Sequence, residues 1–344
     1  MTPPCHRRLP CFAAAAAPSA GPATRGLRAA LISVSLIAAT ATAAAQAWPA
    51  KPVRVVVAFT AGGTTDILAR SVGQQLSERL KQPFVIDNKP GAGGNLGTEM
   101  VVRSAPDGYT LIVASVGPIA VNPTLFKSLS YNPLTDLVPI VQIADVPNVL
   151  VVHPALGVKT VDELGGYAKA NPGKLNYSLT GIGTASHLAG FMFCRRAAIE
   201  ATHIPYKGAE ALKDLLAGRV QFMFATIPSV IQHIQAGKLQ AVAVSSVKRS
   251  RSMPDVPTVA EGGFPDFDAG SWFGFFAPKG TPQAVITLLN STVNDILAMP
   301  SLEAQLIREG ADPAGGTPQQ FAQFVQRETE KWKLIVRESG ATAD

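Results

Sequence analysis

The run Val53-Arg54-Val55-Val56-Val57-Ala58-Phe59, broken at once by Ala61-Gly62-Gly63, is the feature that most narrows the fold. Branched residues in near-continuous succession, without polar alternation, suit a strand covered on both faces, and parallel strands are the usual owners of such runs. Thr64, Thr65 and Asp66 then offer N-caps to a segment in which Ile67, Leu68, Val72, Leu76 and Leu80 fall near helical spacing. A Lys-Gln-Pro break leads into Phe84-Val85-Ile86-Asp87, which completes a β-loop-α-β unit.

The unit recurs in looser form. Asn88 to Asn95 is a second glycine-rich loop before a helix, and Asp107-Gly108-Tyr109 turns into the strand Thr110 to Ala114. A second block opens after Val149 to Pro154, with a helix from Val161 to about Ala170 and a strand from Leu175 to Leu179. The loop Thr180-Gly181-Ile182-Gly183-Thr184-Ala185-Ser186 and a helix through Met192 follow, then short strands at Ala201 to Ile204, Phe222 to Phe224 and Leu239 to Ser245. A third block, from Gly270 onward, has one strand and then helices, too few strands for a domain of its own, so it is expected to pack back on the first block. Strands alternating with helices predict an α/β fold with mainly parallel sheets and right-handed crossovers. Two passages of the chain between domains, near 149 and near 270, predict a hinge and an interdomain cleft.

Residues 1 to 28 carry Arg7, Arg8, Arg25 and Arg28 with no acidic residue, and residues 29 to 45 are a run rich in Ala, Leu, Ile and Val ending at Ala45-Gln46-Ala47. This is the outline of a signal peptide over 1–47, with a mature start at Trp48 and export to the periplasm. An uncleaved anchor is the alternative, although the apolar run is shorter than the roughly 20 residues a spanning helix needs. The leader also distorts the composition. Of 30 basic residues four leave with it, so 26 face 24 acidic ones and the mature chain is near neutral. With no basic stripe, nucleic acid and anionic membrane surfaces are poor partners. Cys5 and Cys11 leave as well, so Cys194 has no intramolecular partner and reads as a small buried hydrophobe.

Loops that expose successive N–H groups at the start of a helix attract anions, because those donors lack intrahelical partners and the helix dipole adds positive charge there. Phe59, Thr60, Ala61, Gly62, Gly63, Thr64, Thr65 and Asp66 form one such loop; Thr180, Gly181, Gly183, Thr184, Ser186 and His187 form another in the second block. Facing each other across a cleft, the two are placed to grip a carboxylate. Enzyme signatures are missing: there is no G-x-S-x-G, H-E-x-x-H, C-x-x-C or Walker sequence, and the five histidines show no metal-ligand spacing. Gly181 to Ser186 lacks the third glycine of a dinucleotide loop. No catalytic residue, metal or cofactor is expected.

The chain resembles the Bug-type receptors, the periplasmic binding components of tripartite tricarboxylate transporters, from Trp48 to the C-terminus. The resemblance rests on strings in order, among them Trp48-Pro49-x-Lys51-Pro52, Ala61-Gly62-Gly63-x-x-Asp66 and Asn88-x-Pro90-Gly91-Ala92-Gly93-Gly94. Asp107-Gly108-Tyr109-Thr110-Leu111, Gly183-Thr184-x-Ser186-His187, His203-Ile204-Pro205-Tyr206-Lys207-Gly208 and Ala277-Pro278-x-Gly280-Thr281-Pro282 continue it. It implies a type II periplasmic-binding-protein fold, with domain 1 formed by 48–148 and 271–344 and domain 2 by 149–270. It also implies a monomer that binds a small carboxylate-bearing solute and delivers it to membrane permease subunits; a sensor kinase is the alternative partner. The two loops are carried over as ligand-binding, and Ser115, Val116 and Trp272 as further lining of the cleft. Asp66 has a rival role in capping its own helix. Where the family commonly has an Asp this chain has Ala225, which would disfavour an ammonium group on the ligand.

Overall fold

The computed structural model describes residues 48–339 together with 341 and 343, so the leader assigned to 1–47 lies outside the described residues. The described residues from Pro49 onward form one compact unit. The first apolar run becomes β1 (Val53–Val57), parallel to both β2 (Phe84–Asn88) and β3 (Thr110–Ser115). Three more strands complete this sheet: β4 (Leu137–Val146), β10 (Ser271–Pro278) and β11 (Asp312–Gly315), in the order β11-β4-β10-β3-β1-β2. A second sheet takes β5 (Asn148–Val152), β6 (Leu175–Leu179), β7 (Ala201–Pro205), β8 (Phe222–Thr226) and β9 (Gln240–Val244), in the order β7-β6-β8-β5-β9.

Both sheets are mixed, which corrects the expectation of mainly parallel ones. β10 runs antiparallel to β3 and β4, and β5 runs antiparallel to β8 and β9. The reason lies in the crossings. β4 carries the chain out of the first sheet and β10 brings it back over the same gap, so the two run in opposite senses side by side. β11 has no apolar run to announce it; Asp312-Pro313 sits at the sheet edge, where a proline costs no interior ladder bond.

The helices that position the site are α1 (Thr64–Leu80) after β1, α2 (Asn95–Val102) after β2, and α3 (Val161–Ala170) before β6. They continue with α4 (Ala185–Arg196) after β6, α5 (Glu210–Leu216) after β7 and α6 (Ile227–Gln235) after β8. α7 (Gln283–Leu297), α8 (Pro300–Arg308) and α9 (Pro318–Ser339) close the chain. α9 presents Phe321, Val325, Trp332 and Val336, at helical spacing, to a core that includes Trp272 and Phe276 of β10. β10 is buried along its whole length, covered on both faces. The strands β1, β3, β6 and β8 all end toward the same region, the place where open α/β sheets put ligands. Among the described residues no helix is long and apolar enough to cross a membrane.

Candidate functional site

A cavity of about 80 Å³ lies where those strands end. The β1–α1 loop supplies Phe59, Gly62, Gly63, Thr64 and Thr65. Gly63 takes the N-cap position of α1 with an extended backbone and no side-chain cap, so the first N–H groups of the helix are left for something else to satisfy. The β6–α4 loop supplies Thr180, Thr184, Ala185 and Ser186. Here Thr184 caps α4, accepting the His187 N–H at 3.3 Å and donating to the Gly181 carbonyl at 2.8 Å. Ser186 donates to the Phe224 carbonyl at 2.6 Å, tying α4 to β8. Ser115, at the end of β3, also lines the cavity.

Other expected residues stand behind the wall. Asp66 is 3% exposed, and its carboxylate is taken up by the Gly62 N–H at 2.9 Å, the Arg70 guanidinium at 2.9 Å and the Asn88 amide at 3.0 Å. Burial raises its pKa, but the bonds from Arg70, Gly62 and Asn88 outweigh that and hold it below the ordinary carboxylate value. It braces the loop from inside the first turn of α1, whose cap is Gly63, so it does not take the capping role the sequence offered it. His187 does the same for the second loop, its Nδ1 accepting the Gly183 N–H at 3.3 Å. Burial, with the charge of His203, pushes its pKa down to about 4, so it is neutral at neutral pH. Ala61 is exposed, while Val116 is buried in the core at the start of a short helical turn. Gly181 and Gly183 shape the loop without lining the cavity. A Cβ on Gly183, at φ +81°, would fall 1.9 Å from Asn122 Oδ1, so only glycine lets this loop approach the opposite side so closely.

Two placements differ from the sequence reading. Trp272 points to the other side of β10, packing edge-on against Phe321 and Phe324 and donating to Glu328 at 3.1 Å, while its neighbours Ser271 and Phe273 face the cavity. Successive residues of a strand face opposite ways, and a strand buried on both sides gives no alternation to say which. Ala225 is buried among Val149, Leu215, Ile227 and Val230 and is not part of the lining. Met223 and Thr226 of the same strand are.

The sequence reading also missed a third helix start. Thr226 caps α6 without a side-chain bond to its backbone, and Thr226 and Ser229 line the cavity. A hydroxyl at a strand end with Pro228 at the second helical position is the signal that marks it. Gly208, Ala209 and Leu212 from the start of α5, and Asn148 at the first crossing, complete the missed set. No cavity-lining residue carries a charged side chain. Phe59, Leu212, Met223 and Phe273 make the wall apolar, and the polar contacts are backbone N–H groups, hydroxyls and one amide.

The two sides are joined over the cavity. Thr64 and Thr226 hydroxyls lie 2.7 Å apart, and Thr60 Oγ1 donates to the Lys207 carbonyl at 3.1 Å while accepting the Ala209 N–H at 3.0 Å. Cys194 is half-buried and burial pushes its thiol up to about 12, so it stays protonated. Among the described residues no group of three or more His, Cys, Asp or Glu is placed to hold a metal.

Residues 68–341 match the model of the tripartite tricarboxylate transporter family receptor. The chain belongs to that receptor family. Protein BugT of Bordetella pertussis is 41% identical over 303 residues, covering 88% of this chain and 93% of that protein. The solved structure of R. palustris Rpa4515 with adipate superposes with a TM-score of 0.84 at 38% identity, over 86% of this chain and 99% of that one. MatC (Rpa3494) from Rhodopseudomonas palustris with bound malate gives 0.80 at 33%, over 84% and 100%. This tripartite tricarboxylate transporter receptor has the two-domain α/β fold of periplasmic binding proteins, and it is a solute-binding receptor, not an enzyme.

Proposed function

We propose that this receptor captures a small carboxylate-bearing solute in the periplasm and hands it to the membrane permease subunits of a tripartite transporter. The observation that carries the reading is the convergence of the starts of α1, α4 and α6 on one cavity with no charged lining. A carboxylate there receives charge-assisted bonds from N–H groups, each helix start contributing about 0.3–1 kcal/mol and up to ~2 kcal/mol where partly buried. The cavity has room for roughly half a dozen waters, the scale of a four- to six-carbon diacid. The adipate and malate held by the two solved relatives support the same class.

Two lobes, 48–148 with 271–344 and 149–270, close on the solute about the crossings at Pro147 and Gly270, and the Thr60 and Thr64 contacts hold the closed form. Export through a signal peptide cleaved before Trp48 delivers the receptor to the periplasm. The test is the melting temperature of the protein against four- to six-carbon diacids and their diamides. An acid at 100 times its dissociation constant adds about 2.7 kcal/mol, several degrees for a protein of this size. Diamides are expected to give no shift; equal shifts from acids and diamides, or none from any acid, would sink the carboxylate reading.

A further inference from the structure

We infer that Asn122 is a built-in brake on closure: the closed lobes bury its side-chain oxygen without a donor, so the empty receptor rests open and bound solute must offset that cost. The inference rests on the two-lobe closure read above and goes beyond it by naming what opposes closure. Asn122 belongs to the first lobe, begins the short helical turn Asn122–Leu125 after β3, and is 0% exposed. Its Nδ2 donates to Asn95 Oδ1 and, at 3.3 Å, to the Gly93 carbonyl.

The Gly93 bond fixes the amide. A carbonyl accepts only, so nitrogen faces Gly93 and Oδ1 faces the other way. What stands there is the β6–α4 loop of the second lobe: a Cβ on Gly183 would overlap Oδ1, so the glycine directs a Cα–H at it. Oδ1 has no hydrogen-bond partner among the described residues. A Cα–H is a weak donor and returns only part of what a hydrogen bond from water supplies.

The rest of this seam is backbone against backbone. A Cβ on Gly93 would strike the Ile182 carbonyl, and one on Gly117 would lie 2.9 Å from the Gly183 carbonyl. Gly93, Phe126, Gly181 and Ile182 also line a groove that opens to solvent, so lobes that part admit water to Oδ1. An acceptor that water satisfies in the open form and nothing satisfies in the closed one costs free energy on closing. The Thr60 and Thr64 contacts across the cleft act in the opposite sense, and the balance between the two sets the resting state.

The experiment is single-molecule energy transfer between one dye on each lobe, on protein purified from cells expressing the full chain and stripped of solute. The wild type is expected to be mainly open. Asn122→Ala is expected to raise the closed-to-open ratio about tenfold. Asn122→Ser, which draws the polar atom back from Gly183, is expected to raise it as well and serves should the alanine variant fail to fold. Tyr131→Phe is the control: the hydroxyl it removes lies 3.0 Å from Asn95 Oδ1 and 2.9 Å from the Pro118 carbonyl, so the change loosens the same network without touching the Asn122 acceptor. It is expected to lower the melting temperature and leave the ratio within twofold. An empty wild type that is mainly closed, a ratio that does not rise in the Asn122 variants, or an equal rise in Tyr131→Phe would each overturn the inference. Because no solute is used, failure of every diacid to bind would sink the carboxylate reading and leave this ratio to be judged by itself. One inter-dye distance in the wild type and in every variant would sink lobe closure, and this inference with it.

Discussion

Thr64 Oγ1 and Thr226 Oγ1 meet at 2.7 Å, one at the start of α1 in the first sheet's half of the molecule and the other at the end of β8 in the second's. The bond spans the cleft over the cavity that both residues line. Thr226→Val keeps the side-chain shape and removes the bond. Solute affinity is expected to fall about tenfold while the ligand-free melting temperature moves by only a few degrees, readings that calorimetry supplies together.

Gly208 is the second point of closure. At φ +79°, a Cβ on it would sit 2.7 Å from Thr60 Oγ1, the atom that links Lys207 and Ala209 to the β1–α1 loop. Gly208→Ala is therefore expected to hold the lobes apart. If the closed population drops tenfold, apparent affinity drops tenfold with it. Small-angle scattering should show the variant saturated with solute keeping a larger radius of gyration than the wild type; equal compaction would contradict this role for Gly208.

How much of this was legible beforehand follows from what each residue signals. The β1–α1 and β6–α4 loops were readable because a branched apolar run, glycines and hydroxyl caps occur together, and the structure does bring Gly62 to Thr65, Thr180 and Thr184 to Ser186 to one cavity. Trp272 was misplaced because Ser271 to Pro278 is buried throughout, so nothing in the run tells one face from the other. Asn148, between Pro147 and a valine run, reads as a turn residue; only the pairing of its amide with Ala269, 121 positions away, gives it an orientation. The Asp66 carboxylate and the His187 imidazole looked like ligands by type, yet Asp66 is taken up by Gly62, Arg70 and Asn88, and His187 Nδ1 by the Gly183 N–H of its own loop.

His187 gives the receptor an acid sensitivity of known sign. It is 2% exposed and its pKa is pushed to about 4 by burial and by His203, below an unfolded value near 6.5. The unfolded chain thus binds a proton that the folded one refuses between those values, and stability present above pH 6.5 is lost as pH falls toward 4. The loss amounts to about 3 kcal/mol. In His187→Gln this part of the acid limb should flatten, as urea melts taken at pH 7 and pH 4.5 would reveal; an unchanged pH slope would contradict the buried neutral imidazole.

Trp272 separates packing from binding. Its indole shares the Glu328 carboxylate with Trp332, at 3.1 and 2.9 Å, and lies on the face of β10 away from the cavity. Trp272→Phe is expected to cost about 1–2 kcal/mol of stability and to leave solute affinity within twofold. A tenfold loss of affinity would instead put the indole in the cleft.

The central claim is that a carboxylate is held by the exposed N–H groups where α1 and α4 begin. The crystal structure of the receptor with the diacid that raises its melting temperature most tests it directly. The account predicts a carboxylate oxygen within hydrogen-bond reach of the Thr64 or Thr65 amide or, across the cleft, the Ala185 or Ser186 amide, directly or through a single water, with no lysine or arginine in contact. A carboxylate paired with an arginine or lysine elsewhere, with the two helix starts left empty, would contradict it.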